Sequence, residues 1–129
     1  MYRFLKAYWP TITVVAIIIY ATWIPKPLPD ETLPTFPHYD KLIHAIMFGG
    51  LTGAMLFDYY RSTRSKLTWR VVIAFASGTA AFGVLDETVQ GLLMIGRPSE
   101  WMDVVADWVG IIVAMFAAPP AIRRLVNRA

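Results

Sequence analysis

The chain has 129 residues, of which 57% are hydrophobic and 16% charged, and its mean hydropathy is +0.49. That length fits one domain, and that composition is too apolar for an ordinary soluble one, so an integral membrane protein is the expected class. The net charge of +3 comes from basic residues clustered between apolar segments, which excludes a basic nucleic-acid face, and the absence of cysteine excludes disulfides, thiolate nucleophiles and cysteine-based metal sites.

Residues 1–6 carry Arg3 and Lys6 ahead of an apolar run over 7–24 that is rich in β-branched residues. A spanning helix needs ~20 such residues, and Tyr8, Trp9 and Trp23 lie near the two ends, where amphipathic aromatics favour the headgroup layer. The competing reading is a secretory signal, but Tyr20-Ala21-Thr22-Trp23 is a poor small-residue cleavage site, which favours a retained helix. Pro25, Pro27, Pro29, Pro34 and Pro37 then prevent helix, and Asp30 and Glu31 belong in water, so 25–39 is expected to be a surface loop.

Further apolar segments predict helices over 40–60, 68–91 and 101–118, the last stopping at Pro119-Pro120. The expected fold is an all-α membrane protein, a single bundle of four transmembrane helices. If the helices alternate, nine of the twelve basic residues fall on one side: Arg3, Lys6, Arg61, Arg64, Lys66, Arg70, Arg123, Arg124 and Arg128. The excess of lysine and arginine marks the cytoplasmic side, so both termini are expected there. Every acidic residue except Asp58 falls on the opposite, outward side.

The polar residues of that outward side repeat at helical spacing. Asp40, Lys41 and His44 share one turn of the second segment; Asp86, Glu87 and Gln90 share one of the third; Asp103 and Asp107 do so in the fourth. At ~100° per residue, Asp103 and Asp107 lie on the same face as Ala106, Gly110, Ala114 and Ala118, and small residues let membrane helices approach closely, so this face should look into the bundle. Thr79 and Gly83 extend the Asp86 and Gln90 face in the same way. Gly49 and Gly53 lie nearly opposite Asp40 and would suit a second neighbouring helix.

A carboxylate near hydrocarbon costs roughly 2.5 to 3.5 kcal/mol on insertion scales, and its usual solution is to face the bundle interior and find a partner. Convergence of several therefore predicts a site. Each residue also has a plainer reading: Asp40 as a charge favoured at a helix N-terminus, Lys41 as a snorkelling side chain, His44 as an interhelical hydrogen-bond donor, and Ser99 as an N-cap with Glu100 in the first turn. Asp58 and Arg61 read as a pair at the cytoplasmic edge. Arg97, a lone basic residue among the outer carboxylates, reads as their counter-ion or as an anion clamp.

The motifs Asp40-Lys41-x-x-His44, Asp86-Glu87-x-x-Gln90 and Arg97-x-Ser99-x-x-x-Asp103-x-x-x-Asp107-x-x-Gly110, taken in order, resemble the VanZ-like family of small bacterial membrane proteins. The resemblance covers roughly residues 40–113. It implies a multi-helix protein of the bacterial plasma membrane, with a namesake linked to resistance to the glycopeptide antibiotic teicoplanin, and it implies no settled reaction. Asp107 stands where such proteins often have Asn, adding a negative charge. Phe48 stands where an aromatic hydroxyl often follows the histidine by one turn, removing a proton donor.

An outward pocket with an acid–base pair such as His44 with Asp86 or Glu87, assisted by Gln90 and Asp103, suits hydrolysis or transfer on a lipid-linked phosphate or cell-envelope precursor. Lys41 and Arg97 would neutralise the phosphate, and Asp40, Ser99 and Asp107 would line its binding site. The same carboxylates and His44 offer ligands for a divalent ion, whose presence the sequence leaves unknown. The alternatives are a lipid or ion binding or transport protein, for which intramembrane carboxylates also serve, and an accessory protein whose polar network fixes the bundle. Beyond membrane lipids and that precursor no partner is implied, and no Gly-rich phosphate loop, GxSxG or HExxH motif is present.

Overall fold

Among the described residues there are five helices: α1 (Tyr2–Ala7), α2 (Trp9–Trp23), α3 (Tyr39–Thr63), α4 (Trp69–Leu93) and α5 (Trp101–Arg128). They come from a computed structural model that describes residues 2–23, 39–93 and 101–128, and no strand occurs among the described residues. The Pro-rich stretch, Arg97, Ser99 and Glu100 lie outside the described residues. Lys41–Thr63, Trp69–Leu92 and Trp101–Asn127 are each long and apolar enough to cross a membrane, whereas α2 is a shorter apolar helix of 15 residues. Ile46, Ile73, Leu85, Val109, Val113 and Phe116 point away from the bundle, as lipid-facing side chains would.

The helix ends follow local chemistry. After α3, Arg64 adopts a left-handed backbone with φ of 57° and donates its N–H to the Tyr60 carbonyl at 2.9 Å, which closes the helix. Thr68 then starts α4 by accepting the Val71 N–H on its hydroxyl at 3.4 Å. Between α1 and α2, Pro10 has no N–H to give the preceding turn, and the helix breaks at Tyr8. Two side chains of α3 take up the groups this break leaves over. Asp58 accepts the Thr11 N–H at 3.0 Å and the Thr11 hydroxyl at 2.7 Å, while Arg61 donates to the Ala7 carbonyl at 2.6 Å and to Asp58 at 3.2 Å.

Two sequence expectations need correction. The fourth predicted segment does not stop at Pro119-Pro120; both prolines lie inside α5, which runs on to Arg128. Beyond them Ile122 and Val126 pack with Leu56, Leu67 and Val72, and that burial outweighs the backbone hydrogen bonds the prolines forgo. Gly49 also meets no second neighbour. It faces α5, the same helix that the polar turn of α3 meets: a Cβ on Gly49 would lie 2.8 Å from the Gly110 carbonyl oxygen, and one on Gly110 would overlap the carbonyl of Ala45. Backbone contact of this kind makes the pairing of α3 and α5 the tightest in the bundle.

Three layers result. A middle layer of Ile18, Phe48, Leu51, Ala76 and Ile111 is apolar apart from the buried hydroxyls of Thr52 and Thr79. Towards the basic end lies the cluster around Leu56 and Ile122. Towards the other end, where α2 and α4 finish and α3 and α5 begin, the buried side chains are polar and most of them ionisable.

Candidate functional site

The polar end is built by four helices, each supplying its residues from one turn. On α3, Lys41 and His44 project towards α5; on α5, Asp103 and Asp107 project back; on α4, Asp86, Glu87 and Gln90 close the third side; and α2 brings Thr22 and Trp23. All of these except Lys41 and Trp23 are buried, and Asp86 and Asp107 have no exposed surface. The face of α5 expected to look inward does so: Asp103, Asp107, Gly110 and Ala114 are buried in register.

His44 stands at the centre. Its Nδ1 lies 2.9 Å from Asp107 Oδ1, and its Nε2 lies 3.7 Å from Asp103 Oδ2. Lys41 donates to the other Asp103 oxygen at 3.3 Å. Below the imidazole, the Phe48 ring lies parallel to it, 6.5 Å away between centroids. Such a floor fixes the ring plane and keeps water from that side. Room for Asp107 depends on Gly83, because a Cβ there would lie 3.1 Å from Asp107 Oδ2 and 3.5 Å from Phe48 Cε1.

Asp86 faces elsewhere. Its Oδ1 accepts the Thr22 hydroxyl at 2.7 Å and the Trp23 indole N–H at 2.7 Å, so it ties α4 to the end of α2. The hydrogen-bonded carboxylate of His44 is thus Asp107, and the expected pairing with Asp86 gives way to this interhelical tie. Glu87 stays with His44: ligand atoms of His44, Glu87 and Asp103 lie within 4.8 Å of one another. Sequence reasoning missed Thr22 and Trp23. The signal available was their position, two side-chain donors closing an apolar run and facing the acidic end.

Among the expected substrate-binding residues, Lys41, Asp107 and the catalytic set come together. Asp40 is part of α3, and nothing further is described of its side chain; Arg97 and Ser99 are outside the described residues. Electrostatically the site is unbalanced. The polar end holds four buried carboxylates against Lys41 and His44, and among the described residues Asp86 Oδ2, Asp107 Oδ2 and Gln90 Oε1 are buried oxygens with no hydrogen-bond partner. Acceptors exceed donors, a state that favours a cation, extra protons or a donor-rich ligand.

No protein-family model, curated protein or solved structure matches the chain. Function therefore rests on the chemistry of the site. What the arrangement can do follows from Asp107: a carboxylate bonded to Nδ1 orients the ring and enriches Nε2 in electron density, on the side that faces Asp103 and Glu87.

Proposed function

We propose that the chain is a VanZ-like multi-pass protein of the bacterial plasma membrane, with four spanning helices and cytoplasmic termini, whose polar end faces outward and acts on a lipid-linked phosphate or cell-envelope precursor. Support for the fourth span comes from length, since the apolar run 7–23 at ~1.5 Å per residue reaches ~25 Å, at the short end of what a spanning helix needs, with Arg3 and Lys6 outside it. Orientation is supported by the nine basic residues that the helix order gathers at the end opposite the acidic cluster.

The observation that carries the activity is His44 held between Asp107 and Asp103 beside Glu87. An electron-rich Nε2 among carboxylates suits activation of a nucleophile, and Lys41 with Arg97 would offset phosphate charge. In this reading His44, Glu87 and Asp103 meet the reacting group. Asp86 and Asp107 position the helices and the imidazole, and Gln90 completes the pocket wall. Asp40 and Ser99 keep the binding role that the sequence spacing gives them.

Non-catalytic transport gains less support. Asp58 is a further buried carboxylate, at the basic end, but both its oxygens are engaged by Thr11 and Arg61, and among the described residues the layer between the two ends holds no buried ionisable side chain. The test is incubation of purified protein, in lipid, with polyprenyl phosphates and lipid-linked cell-wall precursors, followed by mass spectrometry. Turnover that is lost in His44→Ala, Glu87→Gln and Arg97→Ala, with helicity retained, is expected. Unchanged substrate despite binding would remove the enzymatic reading, and full activity in all three variants would make the cluster structural.

A further inference from the structure

We propose that His44, Glu87 and Asp103 bind one divalent transition-metal ion of the Zn2+ class, with Asp107 as the positioning residue behind the histidine. The inference deepens the site reading above.

Geometry comes first. The three residues arrive from three helices, all are buried, and one ligand atom of each lies within 4.8 Å of the others. Nε2 of His44 and Oδ2 of Asp103 are 3.7 Å apart. That is too long for a hydrogen bond. It is close to the ~3.4 Å that separates two ligands of a tetrahedral ion with ~2.1 Å bonds. A pair at the 4.8 Å limit has to close by about 1.4 Å to reach the same figure, within the swing of a carboxylate.

The histidine is arranged as metal-binding histidines are. With Nδ1 bonded to Asp107 Oδ1 at 2.9 Å, the neutral ring donates there and leaves the Nε2 lone pair beside Asp103 Oδ2, in the same cluster as a Glu87 oxygen. Lone pair and carboxylates repel unless positive charge stands between them. Lys41 meets Asp103 at Oδ1, 3.3 Å away, and it is the other oxygen, Oδ2, that stands nearest His44 Nε2.

A separate observation points to the same ligand. Gln90 is more than nine-tenths buried, projects one turn beyond Glu87 on the same side of α4, and its Oε1 has no hydrogen-bond partner. It offers a further neutral oxygen next to a site already rich in acceptors. A donor set of one imidazole and carboxylate oxygens favours Zn2+ or a neighbouring transition metal over Mg2+, which prefers six oxygens in strict octahedral geometry. Three protein ligands would leave a fourth position for water or a phosphate oxygen.

The experiment uses the full-length protein in nanodiscs, stripped with chelator and titrated with Zn2+, Co2+ and Mg2+ in the absence of any lipid substrate. Expected are about one equivalent of Zn2+ per chain, a visible Co2+ spectrum of low coordination number, and no competition from millimolar Mg2+. Glu87→Gln and Asp103→Asn should each weaken Zn2+ binding at least tenfold, and Asp107→Asn by about 10- to 100-fold through the histidine. Circular dichroism accompanies each variant. Should a variant fail to fold, the wild-type titration and Co2+ spectrum decide. Absence of stoichiometric Zn2+ and of the Co2+ bands in folded wild-type protein overturns the proposal in favour of an imidazolium at His44, and equal affinity in all folded variants overturns it in favour of adventitious binding. Metal binding without turnover of any precursor would leave this site standing and remove the substrate reading; turnover undiminished in chelator would do the reverse.

Discussion

Gly110 and Ala45 meet backbone to backbone, so closely that a Cβ on Gly110 would overlap the Ala45 carbonyl. One turn nearer the polar end, this crossing sets Asp107 beside His44. Distance between α3 and α5 is therefore distance within the site. Gly110→Ala should lower stability by about 1–3 kcal/mol or more through forced separation of the helices, and Gly49→Ala should act in the same direction because its Cβ would lie 2.8 Å from the Gly110 oxygen. Gly50→Ala and Gly78→Ala meet nothing within 4 Å and should instead stabilise by roughly 0.5–1 kcal/mol. Reversible unfolding in mixed micelles measures all four, and the same sign for both pairs would falsify the crossing.

At the basic end the junction of α1 and α2 depends on Asp58. Removing its carboxylate in Asp58→Ala strands the Thr11 N–H and leaves Arg61, partly buried, without its partner. A loss of about 1–3 kcal/mol is expected, the cost of leaving a partly buried donor unsatisfied, because Arg61 is 35% exposed and keeps the Ala7 carbonyl. Thr11→Val removes only the hydroxyl bond and should cost about 1 kcal/mol. Unfolding midpoints of the two variants give the comparison; similar losses would mean that the backbone N–H bond contributes little.

Much of this site is legible in the sequence because membrane burial of charge is costly enough to force a helical spacing. Asp103, Asp107, Gly110 and Ala114 can be assigned to one inward face from spacing alone, and they share it. Spacing does not name the neighbour across a face. It therefore points Gly49 to a different partner from the one it meets, and His44 to Asp86 or Glu87 when its hydrogen bond goes to Asp107. Asp58 resembles an edge residue because its second role, holding the ends of α1 and α2, depends on residues about fifty positions away. The continuation of α5 through two prolines is hidden for a related reason: the burial of Ile122 and Val126 that favours it is tertiary.

Asp86 ties α2 to α4 through Thr22 and Trp23, which makes Trp23 a reporter of the tie. In Asp86→Asn the acceptor loses its charge, and in Thr22→Val or Trp23→Phe it loses one donor. Each single change should cost about 1.5–3 kcal/mol, the range for hydrogen bonds to a charged group. Thr22→Val combined with Trp23→Phe should cost more than the sum, because the carboxylate is then buried with neither donor. Trp23 emission should shift in Asp86→Asn if the indole leaves its partner. An additive double variant would place other donors on Asp86.

Phe48→Tyr tests whether the two departures from the resembled family compensate each other. Phe48 has no exposed surface, and its Cε1 edge and Asp107 Oδ2 flank the same point beside Gly83, 3.5 and 3.1 Å from where a Cβ would stand. Asp107 Oδ2 is a buried acceptor with no hydrogen-bond partner among the described residues. The tyrosine hydroxyl is carried on Cζ, the ring carbon next to Cε1; where it reaches Asp107 it gives that oxygen a donor, and a hydrogen bond to a charged group contributes about 1.5–3 kcal/mol. Against this stands the strain of one extra atom in a filled core, about 1–3 kcal/mol. The two nearly cancel in the wild-type background. They should not cancel in Asp107→Ala, where the hydroxyl has no carboxylate to meet and only the strain remains. Phe48→Tyr is therefore expected to be near neutral alone and destabilising by more than about 1 kcal/mol in Asp107→Ala, as read by a double-mutant cycle. A coupling energy near zero would mean that the introduced hydroxyl never reaches Asp107, and that the charge at that position is balanced from the other side of the site, by His44 alone.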